Sequence, residues 1–225
     1  TMILKLTIAA GAVAFTLARL RRTGATGVVG FFPSDHHYRD TDVFCNAVAM
    51  AYWQARRRPD HVILIGAEAT RAETDYGWIE PGAVIPHQKH AASCKWPLRA
   101  VQRFVEKPSA ANAESLLSRG CLWNTLVVVG HINALSEMLA AVGPEVAAML
   151  ATLEALPAED HEQLTRIYSG LPRADFSSDA LAASPGRLLV MTVPHLGWTD
   201  LGRPERVVDV LADRHQVLVS QQMIG

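Results

Sequence analysis

The sequence predicts an α/β domain with parallel central strands, because two kinds of hydrophobic periodicity alternate along it. Short apolar runs such as Val28–Phe32 and His61–Gly66 have the length and β-branched content of buried strands. Between them, Thr41–Arg57 carries Val43, Phe44, Ala47, Val48, Ala51 and Tyr52 at helical spacing, with Pro59 beyond its end. The 225 residues show neither an internal repeat nor a linker, so residues 1–225 are read as one domain.

In chain order, a core helix is expected from about Thr7 to Arg22, its last-turn arginines Arg19, Arg21 and Arg22 favouring the negative end of its own dipole. The strand at 28–32 ends at Pro33, the 41–57 helix follows, and the strand at 61–66 comes next. From Tyr76 to Val105, extended pieces mixed with Gly and Pro suggest hairpins or edge strands carrying a binding surface. Ser109 is placed to cap a helix over Ala110–Arg119 that stops at Gly120. Leu122–Val129 reads as a strand, and His131–Tyr168 as mostly helical, broken near Gly143-Pro144 and Pro157. Arg187–Val193 is expected to be the last strand, and Pro204 opens a closing helix to about Ala212.

Composition narrows the function. Apolar residues at 49% and charged residues at 19% fit a packed core and exclude a disordered chain. With 21 basic and 22 acidic side chains the net charge is −1, so there is no broad positive field for nucleic acid, and the partner expected is a small molecule. Leu6–Ala18 is too short to cross a bilayer, so no membrane anchor is expected. Cys45, Cys94 and Cys121 form neither an even set nor a C-x-x-C pair, which fits a reducing, cytoplasmic setting. Thr1 stands where an initiator methionine would, and residues upstream of it are expected.

Several residues suit chemistry. Asp35, after a hydrophobic strand, and Asp200, between a strand and a helix, sit where ligands gather in open α/β sheets. Mg²⁺ prefers oxygen ligands and is usually held by one or two carboxylates plus substrate phosphates, so the pair makes a metal seat; turn and helix caps are the plainer alternative. In Arg103–Pro108, Glu106 suits vicinal sugar hydroxyls and Lys107 a phosphate, or the two form a solvated pair. Trp123-Asn124 suits stacking on and hydrogen bonding to a sugar, or simple packing. Gly77 permits close approach of a ligand to the backbone, or a turn. His36 and His37 are read as ordinary polar residues at a strand end. Asp35-His36-His37 resembles the motif of the DHH phosphoesterases, but their other motifs are absent. No G-x-S-x-G, Walker loop or G-x-G-x-x-G occurs.

Taken in order, PSDHH at 33–37, ETDYGWIEPG at 73–82, RFVEKPS at 103–109, GCLWNT at 120–125, FSSD at 176–179 and GWTDLGRPERV at 197–207 resemble the sugar nucleotidyltransferases. Within them the match is to the mannose-1-phosphate guanylyltransferases, over about Thr7–Leu211. The resemblance implies a Rossmann-like mixed, mainly parallel sheet of the GT-A-like nucleotidyltransferase kind. It also implies formation of GDP-mannose and pyrophosphate from GTP and mannose 1-phosphate with Mg²⁺. Carried over motif by motif, Asp35 and Asp200 would hold the metal, with Asp35, Lys107 and Asp200 catalytic. Glu106, Lys107, Asn124 and Gly77 would hold the sugar phosphate.

The chain departs from the family pattern in three places. The glycine-rich loop and lysine-proline pair have no counterpart upstream of Thr7, so the first nucleotide-binding strands are expected to be missing. Thr125-Leu126 stands where the family has Ser-Gly, and Asp75 where TGYG has its first glycine. Three functional readings stay open: part of an active enzyme, a non-catalytic sugar-nucleotide-binding subunit, and an inactive truncated homologue. An unpaired sheet edge would favour a homo-oligomer.

Overall fold

The computed structural model describes residues 2–86, 96–157, 161–169 and 176–213. Helix α1 spans Met2–Arg22, strand β1 Val28–Phe31, strand β2 His36–Tyr38, helix α2 Thr41–Arg57 and strand β3 Val62–Glu68. Strands β4 (Gly77–Val84) and β5 (Leu98–Glu106) follow, then helix α3 (Ala110–Ser118) and strand β6 (Leu122–His131). Helices α4 (Ile132–Ala140), α5 (Pro144–Ala155) and α6 (His161–Ser169) come next. Strands β7 (Leu188–Val193) and β8 (Trp198–Asp200) lead to helix α7 at 204–213.

Local signals fixed most of these boundaries. The Asp40 carboxylate caps α2 by accepting from Val43 N at 2.8 Å, and Ser109 Oγ caps α3 by accepting from Asn112 N. Gly120 ends α3 at φ +68°, a conformation glycine adopts without a Cβ clash.

The main sheet has the order β1-β6-β3-β7-β5-β4. Among the described residues only β3 and β7 pair in parallel; β1–β6, β3–β6, β5–β7, β4–β5 and β4–β6 are antiparallel. The expectation of a mainly parallel sheet is therefore corrected to a mixed one. β1 and β3, joined by α2, do run in the same direction, but β6 lies between them. The cause is the β4–β5 hairpin, which reverses the chain once, so the crossover through α3 delivers β6 antiparallel to β3. A buried apolar run such as Leu122–Val129 carries no mark of direction.

β4 also pairs with the start of β6, Trp78 opposite Trp123 and Ile79 opposite Leu122, so the pairings β6-β3-β7-β5-β4-β6 close into a ring. A separate two-stranded ribbon pairs β2 with β8. Sequence reasoning missed both ribbon strands, having read His36 and His37 as the end of one strand and Arg187–Val193 as the last.

Helices cover both faces of the sheet. One core packs α1, α4, α5 and the Phe176–Leu181 turn of π-helix against Leu64, Val128 and Val190; the other packs α2 and α3 against Ile63, Ile65 and Val129. The FSSD segment thus contributes core through Phe176. No helix among the described residues is long and apolar enough to cross a membrane. Cys45 and Cys121 are free thiols, one exposed and one buried, and Cys94 lies outside the described residues.

The α1 arginines stand in the last turn of their own helix, as expected, and also serve a second one. Arg19 donates to the carbonyls of Leu156 (2.8 Å) and Pro157 (3.2 Å), Arg22 donates to Ala155 and Leu156, and Arg21 pairs with Glu154. They satisfy the carbonyls at the end of α5. Replacing Arg19 and Arg22 together by alanine is expected to cost roughly 1–2 kcal/mol, since charge-assisted bonds are the stronger kind but these are partly exposed. Urea unfolding checks this: an unchanged midpoint would show that water caps α5 equally well.

Candidate functional site

The site lies at the edge of the sheet where β1, β3 and β7 finish and β6 begins, and the two expected aspartates meet there. The β2–β8 ribbon places His36 opposite Asp200, and Leu201 N donates to Asp35 O at 2.7 Å. Asp35 is exposed, with 61% of its side chain accessible, whereas Asp200 is mostly enclosed. Gly202 N donates to Asp200 Oδ1 at 3.0 Å, and the same oxygen accepts from Arg206 Nη1.

The expected sugar contacts also come together. Gly77 opens β4 directly opposite Glu106, the last residue of β5. A Cβ built on Gly77 would stand 2.7 Å from Glu106 Oε2, 3.0 Å from Phe104 Cζ and 3.5 Å from Asn124 Cβ. Asn124 is buried on β6, its rotation fixed by accepting from Leu126 N through Oδ1 at 3.1 Å. Lys107 follows Glu106 with an exposed side chain and φ +43°, and its N–H donates to Tyr76 O at 3.2 Å. Strain of this kind in a non-glycine residue persists where surrounding structure enforces it, which is common at binding sites.

Aromatic rings join the two groups. Tyr76, Trp123 and Trp198 pack with centroid separations of 4.7 to 6.3 Å, and Trp78 meets Trp123 edge-on. Tyr76 Oη hydrogen-bonds Thr199 Oγ1 at 3.0 Å. Trp123 is therefore a wall of the site, buried beneath Arg71, whose guanidinium lies 5.6 Å from its ring.

Sequence reasoning missed five contributors. His36 accepts from Trp198 Nε1 through Nδ1 at 3.1 Å, with a further hydrogen bond to the Thr125 backbone. Arg206 is buried, with its guanidinium 4.5 Å above the Tyr76 ring. Besides Asp200 it reaches Asp75 Oδ2 at 3.2 Å and Glu73 Oε2 at 3.5 Å, and Asp75 also pairs with Arg203. Burial alone would raise the Glu73 carboxyl; the Asp75 N–H, Arg71 and Arg206 outweigh it and hold it below its ordinary value. Acids at 73 and 75 facing bases at 203 and 206 leave no local sequence signature.

Burial lowers the His36 imidazole below its ordinary 6.5, against the opposing pull of Asp35, Asp200 and the Thr125 backbone. The unfolded state then binds the proton more readily, so this stability is fully present above pH 6.5 and is lost as pH falls below it. Wild type is expected to lose more urea resistance than His36→Gln between about pH 7.5 and about pH 5.5. Equal losses would show that folding leaves the proton affinity of His36 unchanged.

Among the described residues no group of three or more His, Cys, Asp and Glu side chains is arranged to enclose a metal ion. The exposed Asp35 carboxylate and the fixed Asp200 carboxylate, on backbones that lie side by side, are oxygen donors of the kind Mg²⁺ takes when substrate phosphates and water complete its shell.

The chain is 28% identical over 217 residues to the xanthan biosynthesis protein XanB of Xanthomonas campestris pv. campestris (strain B100), covering 89% of this chain and 41% of that protein. It is 23% identical over 194 residues to the mannose-1-phosphate guanylyltransferase of Escherichia coli, covering 84% of this chain and 40% of that one. The chain thus spans about two-fifths of the length of these curated relatives. The crystal structure of a mannose-1-phosphate geranyltransferase from Thermus thermophilus superposes with a TM-score of 0.71 at 27% identity, over 86% of this chain and 52% of that one. The fold is accordingly the mixed α/β nucleotidyltransferase type, a sheet flanked by helices. The nucleotidyl transferase family profile matches residues 7–217, and the chain belongs to that family.

Proposed function

We propose that this chain is the sugar-phosphate side of a mannose-1-phosphate guanylyltransferase, which joins GTP and mannose 1-phosphate into GDP-mannose and releases pyrophosphate. The observation that carries the reading is the convergence of Gly77, Glu106 and Asn124 beside a ribbon that pairs the Asp35 strand with Asp200. Glu106 accepts hydrogen bonds from vicinal hydroxyls of the sugar, and the missing side chain at Gly77 leaves room for the Glu106 carboxylate. Lys107 holds the sugar phosphate as a point charge. A phosphate oxygen of the sugar attacks the α-phosphorus of GTP in line, the α–β phosphoanhydride bond breaks, and pyrophosphate leaves. Asp35 and Asp200 would hold Mg²⁺, which supplies neutralising charge to the phosphates. Positioning and electrostatics suffice, and no protein nucleophile is required.

The test is pyrophosphate release by the polypeptide carrying this chain, supplied with GTP, mannose 1-phosphate and Mg²⁺. Release is expected only with all three, falling at least about 100-fold in Asp200→Asn, the upper range for disturbing a metal's surroundings. Release from Asp200→Asn at the wild-type rate would sink the assigned role. One observation favours a second reading, a binding subunit without turnover: Asp200 Oδ1 is already taken up within the protein, accepting from Gly202 N and Arg206 Nη1. That reading expects calorimetric binding of GDP-mannose with no pyrophosphate formed.

A further inference from the structure

We infer that Arg206 is a positioning residue for Asp200, fixing the carboxylate's orientation and its spacing from the sugar-side loop and so setting how tightly the site holds a divalent cation. This rests on the reading of Asp200 as a metal ligand. Arg206 is the one buried residue of α7; the apolar Val207, Val208 and Leu211 of the same helix are exposed. The helix therefore docks on the site through a guanidinium, not through a hydrophobic stripe, which is costly unless the charge is paired.

The pairing is directional. Nη1 and Gly202 N both donate to Asp200 Oδ1, which fixes the plane of the carboxylate and directs cation binding to Oδ2. Nη2 reaches back to Asp75 and Glu73, whose backbone carbonyl is held by the Trp78 indole N–H at 2.8 Å. Those residues lead directly into Tyr76 and Gly77. One planar fork thus spans β8, α7 and the loop before β4, a geometry an ammonium cannot reproduce.

Two effects of Arg206 on a cation oppose each other. Its positive charge repels the cation, and its hydrogen bonds hold a ligand in place. Glu73, Asp75 and Asp200 balance Arg71, Arg203 and Arg206, and Asp35 leaves this cluster net negative, so the repulsion is largely offset and the positioning effect dominates.

Removing the guanidinium separates the two effects. Mn²⁺ alone is titrated into the folded protein, free ion is followed by electron paramagnetic resonance, and near-ultraviolet circular dichroism confirms the fold of each variant. Asp200→Asn is expected to abolish binding at the site. Arg206→Lys keeps the charge and should weaken Mn²⁺ at least about fivefold, within the range for losing a group that orients a metal ligand. Arg206→Met should weaken it too, although a positive charge has gone. Tighter Mn²⁺ binding by Arg206→Met, or wild-type binding by Arg206→Lys, would overturn the inference, as would absence of saturable Mn²⁺ binding in the wild type. If Arg206→Met does not fold, Arg206→Lys still decides. Mn²⁺ binding that depends on Arg206 in a protein that ignores GDP-mannose in calorimetry would refute the substrate assignment and leave the positioning role standing.

Discussion

Alanine at position 77 is expected to weaken GDP-mannose binding at least about tenfold, or about 1.4 kcal/mol, while leaving the protein folded. The new methyl group would stand 2.7 Å from Glu106 Oε2, closer than Cβ atoms are found, and 3.0 Å from Phe104 Cζ, a tight contact. Position 77 is locked in the sheet between Glu106 on one side and the start of β6 on the other, so the backbone has little freedom to retreat. The flexible partner gives way, and that partner is the carboxylate assigned to the sugar hydroxyls. The loss is therefore felt in binding more than in stability. Gly120→Ala is the matched control. It forces alanine to φ +68° in open space, which should cost about 1 kcal/mol of stability and nothing in binding. Calorimetry with GDP-mannose and urea unfolding, run on both variants, separate the two effects. Equal affinities in wild type and Gly77→Ala would remove Gly77 and Glu106 from the sugar site.

The parts of the site readable in sequence were those whose residue type carries the chemistry. Asp35 and Asp200 stand out because each follows a strand, and Glu106-Lys107 because an acid and a base meet at a strand end. What brings them together was not readable. β2 and β8 are three-residue strands, His36–Tyr38 and Trp198–Asp200, too short and too mixed in polarity for any period to show. The Arg206–Asp75 pair spans 131 positions of sequence. Asp75 looked like a departure from a glycine; in the fold it is the acid that receives Arg203 and Arg206. Leu126, standing where similar sequences have a glycine, adopts φ +53°, which costs a side chain about 1–2 kcal/mol, so the local conformation is kept although the residue best suited to it is not. Helix α2, by contrast, matched its expected bounds because its period and a following proline agreed, and in the fold the Asp40 cap fixes its start.

Trp78→Ala is expected to cost about 3–5 kcal/mol, a large share of the roughly 5–15 kcal/mol that holds a domain together. Trp78 is fully buried at the point where β4 pairs with β5 through Val105 and with β6 through Trp123, the closure of the strand ring. Truncation there leaves a large cavity bounded by paired backbone, which cannot collapse to fill it. It also removes the N–H that holds Glu73 O, leaving a carbonyl without its donor beside the Arg206 cluster. Trp78→Phe keeps most of the ring volume and loses the donor, so its cost should be nearer about 1–3 kcal/mol. The two variants therefore apportion the effect between packing and hydrogen bonding. Urea unfolding should rank wild type above Trp78→Phe and Trp78→Phe above Trp78→Ala, with Mn²⁺ affinity already weakened in Trp78→Phe because the loop that Arg206 grips has lost its anchor. Phenylalanine with wild-type stability and wild-type Mn²⁺ affinity would show that the indole N–H does not hold the 73–77 loop, and that the loop's placement comes from Arg206 and the β4–β5 pairing alone.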